Sequence, residues 1–358
     1  MSISDEATLN SRLSMGLAYG DAHAVSPFTD DYAIEVPIIG AGMAFVAGPR
    51  LAAAVSNAGG LGVLGASPLP PPHLARMIRQ TRALTDRPFG VNLINAKGFP
   101  GRRVPFTTGL HVAICARQRV RVVWFHWDLP PRRWIERLHD VGTKVWMQVG
   151  STGDADRAVE LGVDAVIAQG TNAGGHSKAS EPLADLLPRI IAIAQKVPVL
   201  AAGGIATPEH VDRAIGEGAA GVVVGTRLVA STEAYAHPEY KRRIVASDGT
   251  DTVKTTLFGP EWPRAEVRVL RNRVVDEWAG REEEISFPPP RPLLIGRTKF
   301  AGLPYPLPKF SAMLPTPDTR GNLEEMALAA GPAAAHVNEV LPAATIVREL
   351  GDAAFAKG

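Results

Sequence analysis

One histidine stands in a glycine-rich turn directly behind an apolar run. The stretch 164–178, DAVIAQGTNAGGHSK, reads as a buried strand that breaks at Gly170 into a loop carrying Asn172, Gly174, Gly175 and His176. Imidazole suits general acid–base work near neutral pH. Glycines at a strand end let backbone approach a ligand closely, because no Cβ intervenes. Of the nine histidines, only His176 sits in a glycine loop at an expected strand end. His126 closes another apolar strand and is the second candidate. His73, His139, His210 and His237 fall on expected helices or turns and read as solvated. No HxH, HxxxH or HExxH spacing occurs, which argues against zinc.

Two further strands end as the first does: PVLAAGGIA over 198–206 and AGVVVGTR over 220–227. Backbone N–H groups of Gly203, Gly204, Gly225 and Thr226, with the Thr226 hydroxyl, have the chemistry to hold a phosphate. A tight strand-to-helix turn would explain either motif alone. The pair on successive strands points to a phosphate-bearing ligand. Ala41, Gly42 and Met43 end an earlier strand, where they would pack beneath a flat ring. Asn92 and Gln148 end two others, where an amide meets the edge of a heteroaromatic ring. Taken singly each of these is ordinary structure; together they line one rim.

The elements that must position them alternate regularly from residue 36. Apolar runs at 36–43, 61–66, 88–94, 120–127, 144–151, 164–170, 198–204 and 220–226 are separated by amphipathic helical segments. Continuous apolar strands are what a parallel sheet covered on both faces requires. Eight such units predict an α/β fold, a (β/α)₈ TIM barrel, with a doubly wound open sheet as the competitor. In such barrels a phosphate is commonly held after the seventh and eighth strands. The expected organisation is an N-terminal extension over 1–30, the barrel over 31–230, and a smaller, mainly helical lid over 231–358. The first ~25 residues read as loosely held, and 97–105 as a looser stretch. The proline-rich segments FPPPRPLL and LPYPLPKFSAMLPTPD cannot be regular helix. Their Phe310, Met313 and Leu314 favour an ordered loop over something apolar, while the alanine-rich tail from 322 reads as helix.

Composition narrows the function classes. The chain has 358 residues, 46% hydrophobic and 21% charged, enough to bury a large core. Its net charge of +2 makes no electrostatic case for nucleic acid or an anionic membrane. The single cysteine, Cys115, excludes an internal disulfide, reads as a buried apolar residue, and fits a cytoplasmic setting. No run of about twenty apolar residues predicts a membrane span, and a homo-oligomer is compatible with all of this.

PIIGAGM, NAGGLGVLGA, RPFGVNLI, AQGTNAGGHSK, PVLAAGGIA and GVVVGTR, in this order, resemble the nitronate monooxygenase family, also called 2-nitropropane dioxygenases. The resemblance is strong over 36–234 and weaker through DTVKTTLF, VLRNRVVDEW and LPTPDTRGNLEEMALAAG. It implies a barrel with non-covalent FMN, its phosphate at Gly203, Gly204, Gly225 and Thr226, with Ala202 also binding the cofactor. Ala41, Gly42, Met43, Asn92, Gln148 and Gly175 would contact the ring or ribityl part, and His176 matches the active-site histidine. Implied partners are a small nitroalkane or nitronate with O2, or NAD(P)H in the reductase branch of the superfamily. A barrel that binds a phosphorylated ligand without redox chemistry is the remaining alternative. Three positions depart from common members: Asn172 stands where many have glutamate, Lys178 where many have glycine, and Gln148 where some have lysine.

Overall fold

The computed structural model describes residues 27–96, 105–287 and 292–354. Of the expected extension over 1–30 only 27–30 lies among them, and the stretch 97–105 lies outside them but for Pro105. Eight parallel strands make one sheet: β1 (Ile38–Gly40), β2 (Gly62–Gly65), β3 (Phe89–Asn95), β4 (Val122–Trp127), β5 (Lys144–Val149), β6 (Ala165–Gln169), β8 (Val199–Ala202) and β9 (Gly221–Val224). They run in the order β1-β9-β8-β6-β5-β4-β3-β2. Gly40 N donates to Leu61 O at 2.9 Å and Leu61 N to Ile38 O at 3.0 Å, which brings β1 beside β2 and closes the TIM barrel.

Both strand faces are buried, which is why the strands read as unbroken apolar runs. Ile39, Val63, Trp124, Trp146, Ile167 and Leu200 turn inward. Their neighbours Ile38, Leu64, Val123, Val145 and Val166 turn outward against the helices. The helices start and stop where local chemistry directs. In α6 (Thr152–Leu161), Ser151 accepts from Asp154 N at 3.2 Å and Gly162 takes the left-handed C-terminal position. In α8 (Pro208–Gly216), Thr207 caps the N-terminus and proline holds the first turn. Ahead of the barrel, α1 (Pro27–Tyr32) plugs its lower end with Phe28 and Tyr32. Trp146 Nε1 donates to Tyr32 Oη at 2.8 Å inside that plug.

The remaining crossover helices are α2 (Pro49–Asn57), α3 (Pro71–Arg82), α4 (Gly109–Arg117), α5 (Arg132–His139) and α7 (Leu183–Ala194). A short α9 (Thr226–Val229) follows β9. The chain then leaves the ring and returns only at its end. The last helix, α12 (Ala343–Ala354), packs against α8 and α2, with Ile346, Val347 and Leu350 buried.

Between them lies a mixed region rather than the mainly helical one expected. It holds α10 (Pro238–Ala246) and α11 (Arg273–Trp278) beside five strands. Strands β10 (Thr252–Thr255) and β11 (Val267–Leu270) form an antiparallel sheet with the two-residue β7 (Gly175–His176). A second sheet joins β12 (Leu294–Phe300), β13 (Leu303–Pro308) and β14 (Arg320–Gly321). The proline-rich LPYPLP is thus an edge strand. Its prolines fall at alternate positions whose N–H would face outward, away from β12, so no ladder bond is lost. The tail expected as helix from 322 contains single 3₁₀ turns at Leu323–Glu325 and Pro332–His336 before α12. Gly331–Pro332 and Pro342 interrupt what alanine content alone suggested.

Candidate functional site

The strand ends converge on one cavity of about 390 Å³ at the C-terminal mouth. Ala41, Gly42 and Met43 after β1, Asn92 in β3, Gln148 in β5, Gly175 and His176 in β7, Ala202 to Gly204 after β8, and Gly225 with Thr226 after β9 all line it. The structure therefore brings to one cavity His176 and every residue expected to contact the cofactor.

At one end of the cavity the backbone is exposed to whatever binds. Gly203 and Gly204 have φ of 107° and 81°, conformations open to glycine and strained for other residues. The N–H groups of Gly203, Gly204 and Gly225 donate to no partner among the described residues. The Thr226 hydroxyl accepts from Gly331 N at 3.1 Å, which leaves its own proton free to donate. Unspent donors at glycine-lined strand ends fit a phosphate without any cation.

The floor is set by close packing. A Cβ on Gly42 would fall 2.2 Å from Asn92 Cβ, so only glycine lets the loop after β1 lie on β3. Asn92 Nδ2 in turn donates to Trp124 O at 3.2 Å. Gln148 is buried at the end of β5.

His176 is held from three sides. β7 pairs with β11, placing Val267 opposite His176. Gln169 Nε2 donates to the His176 carbonyl at 3.5 Å. The imidazole stacks on Trp262, with centroids 4.5 Å apart. Its Nε2 is buried and has no hydrogen-bond partner among the described residues. Burial pushes the His176 pKa down to about 4. Burial first, and then the nearby His176 and Lys178, push His126 down to about 3. Both imidazoles are neutral at pH 7. His126 also lines the cavity. Lys178 lies outside it, bonded to Trp127 O at 3.1 Å and Asp154 at 3.3 Å, whereas Asn172 borders it beside Gly204.

Sequence reasoning passed over several lining residues. Gln169 closes β6 as Gln148 closes β5, and the same amide-at-strand-end signal would have found it. The roof residues Phe258, Glu261, Trp262, Phe300 and Tyr305 carry no periodic signal because they come from separate loops and the β12–β13 hairpin, whereas Met313 and Leu314, expected to cover something apolar, do line the cavity. Glu261 accepts from Ser311 Oγ at 2.6 Å, Ala312 N at 2.8 Å and Tyr305 Oη at 3.4 Å.

Fold and site together define an enzyme that works at the C-terminal mouth of a parallel barrel. The family model for nitronate monooxygenase matches residues 26–352, and the chain belongs to that family of oxidoreductases. It is 36% identical over 256 residues to the (3aS,4S,5R,7aS)-5-hydroxy-7a-methyl-1-oxo-octahydro-1H-indene-4-carboxyl-CoA dehydrogenase of Mycobacterium tuberculosis, covering 70% of this chain and 68% of that one. A probable nitronate monooxygenase of Bacillus subtilis is 28% identical over 360 residues, covering 91% and 98%. The solved nitroalkane oxidase of Streptomyces ansochromogenes superposes with a TM-score of 0.75 at 27% identity, covering 91% and 97%. The resemblance and barrel expected from sequence are both borne out. No helix among the described residues is long and apolar enough to cross a membrane.

Proposed function

We propose that the cavity holds FMN and that the enzyme oxidises a nitroalkane, entering in its neutral form, to a carbonyl compound and nitrite with O2. The observation that carries this reading is the buried, unpartnered Nε2 of His176 in a cavity with free backbone donors at its far end. The fit to FMN rests on this chain's own groups. Gly203, Gly204, Gly225 and Thr226 would hold the phosphate, and Ala41 to Met43, Asn92, Gln148 and Gly175 would meet the ring and ribityl chain. When bound, the flavin supplies the redox chemistry, taking electrons from the substrate and passing them to O2.

The protein's own work is proton transfer and positioning. His176 is neutral, and in the tautomer protonated at Nδ1 its Nε2 lone pair would take the proton from the carbon bearing the nitro group at neutral pH. The nitronate formed and the imidazolium then face each other, and their attraction offsets the burial that depresses the histidine pKa. Trp262 fixes the ring plane and the aromatic roof excludes water, which strengthens that attraction.

His176→Asn tests the assignment. Turnover of nitroethane should fall about 100-fold or more, within the usual range for losing a general base, with FMN content unchanged. Loss of FMN instead would make His176 structural.

A second reading is favoured by the roof, which is larger and more apolar than a short nitroalkane needs, and by the M. tuberculosis relative, whose name is that of a carboxyl-CoA dehydrogenase. Here NAD(P)H, or an alicyclic or acyl thioester substrate, would exchange hydride with the flavin. Anaerobic titration separates the two: bleaching of the flavin by NADH supports this reading, and bleaching by nitroethane alone supports the first.

A further inference from the structure

We propose that the roof of the cavity is a recognition site for a neutral, largely apolar molecule carrying a hydroxyl or amide N–H, which donates to the Glu261 carboxylate, and that the same site turns away a free carboxylate. The proposal deepens the reading above, since the molecule recognised would be the part of the substrate that meets the roof.

Three observations lead there. No lysine or arginine lines the cavity among the described residues, so Glu261 is the one formally charged side chain facing it once the histidines are neutral. None of its three partners is a cation: a serine hydroxyl, a tyrosine hydroxyl and a backbone N–H satisfy it. Two carboxylate oxygens accept about four hydrogen bonds, so the three partners among the described residues leave one accepting position on a side chain that lines the cavity. Phe258, Trp262, Phe300, Met313 and Leu314 line the same cavity and, apart from the Trp262 indole N–H, offer a bound body only apolar surface.

An uncompensated carboxylate in such a lining repels a second anion strongly. It also rewards a hydrogen-bond donor with a charge-assisted bond. The competing account is that Glu261 only latches the loop 259–262 to the segment 311–314. A latch would affect stability but would have no preference for ligand charge.

The experiment is calorimetric titration of the protein, with the cofactor it purifies with, by cyclohexylmethanol and by cyclohexanecarboxylate at pH 7.5. The two probes share an apolar body and differ in charge and donor. Wild type should bind the alcohol at least about tenfold more tightly than the carboxylate, a modest discrimination for a built-in repulsion. Glu261→Gln keeps an acceptor and removes the charge, so the two affinities should come within about threefold. Equal affinities in wild type, no measurable alcohol binding, or an unchanged preference in E261Q would each overturn the proposal. If E261Q does not fold, the wild-type ratio still decides, and Ser311→Ala, which keeps the charge, should preserve it. Failure of the flavin reading would show separately, as protein without flavin absorbance, while the calorimetry still reports on Glu261.

Discussion

The imidazole of His176 lies against the indole of Trp262, with ring centroids 4.5 Å apart and planes 25° from parallel. The two residues belong to segments remote in sequence, and Trp262 is itself wedged between Trp127 at 4.5 Å and Phe106 at 5.3 Å. A residue of the barrel mouth is thus clamped and dried by the region inserted after the barrel. The pairing of β7 with β11 makes the clamp continuous with the backbone.

Trp262→Ala should rehydrate the imidazole. The His176 pKa would rise from about 4 toward its ordinary 6.5, because desolvation is what depresses it. The acid limb of kcat/KM against pH should move up by about one unit or more, with kcat lower by about tenfold. An acid limb that stays put would mean that Trp262 is not what keeps the ring dry.

Acidification should destabilise the fold through two partly buried histidines. Their folded pKa values, about 4 for His176 and about 3 for His126, lie below the ordinary 6.5. The unfolded chain therefore takes up protons first, so this stability is complete above pH 6.5 and is lost as pH falls toward 4 and then 3. Each histidine contributes a slope of up to about 1.4 kcal/mol per pH unit in that window. Urea midpoints at pH 7.5, 6 and 5 should fall in order. In His126→Asn the decline should be shallower.

Gly42→Ala should be severe, because its Cβ would meet Asn92 Cβ at 2.2 Å. A loss of roughly 2–4 kcal/mol is expected from the forced shift in a packed site. Asn92→Ala retains the offending Cβ and should not rescue the variant, whereas Asn92→Gly should recover part of the thermal midpoint. Equal rescue by both would place the strain elsewhere.

Pro306→Thr should leave enzyme activity intact and promote association. Pro306 lies opposite Arg297 on the free-edge strand β13, where threonine would expose an outward N–H. Leu303 and Leu294, both exposed on the same hairpin, would add apolar contact. Light scattering at rising concentration should show self-association in P306T and less of it in wild type.

The barrel was legible because its signals are local and repeated. Strands such as VVWFHW and AVIAQ are apolar on both faces, helices carry their own caps, and AAGGIA and VVVGTR mark their positions by glycine. The same locality exposed Asn92, Gln148 and His176, each placed at a strand end by the period of the fold. The inserted region was less legible for the converse reason. LPYPLP becomes a strand only because β12 supplies a partner and no other strand among the described residues pairs with its outer edge. Residues 343–354 join the ring only because α8 and α2 leave a gap there.

The sequence by itself determined the eight-fold alternation, the glycine-lined mouth and the histidine within it, since period, β-branching and glycine act over a few residues. Tertiary structure alone decided that Trp262 dries that histidine and that Glu261 faces the same cavity with no cation beside it among the described residues. Those outcomes depend on which distant loops meet over the mouth, and long-range packing leaves no local pattern from which to read them.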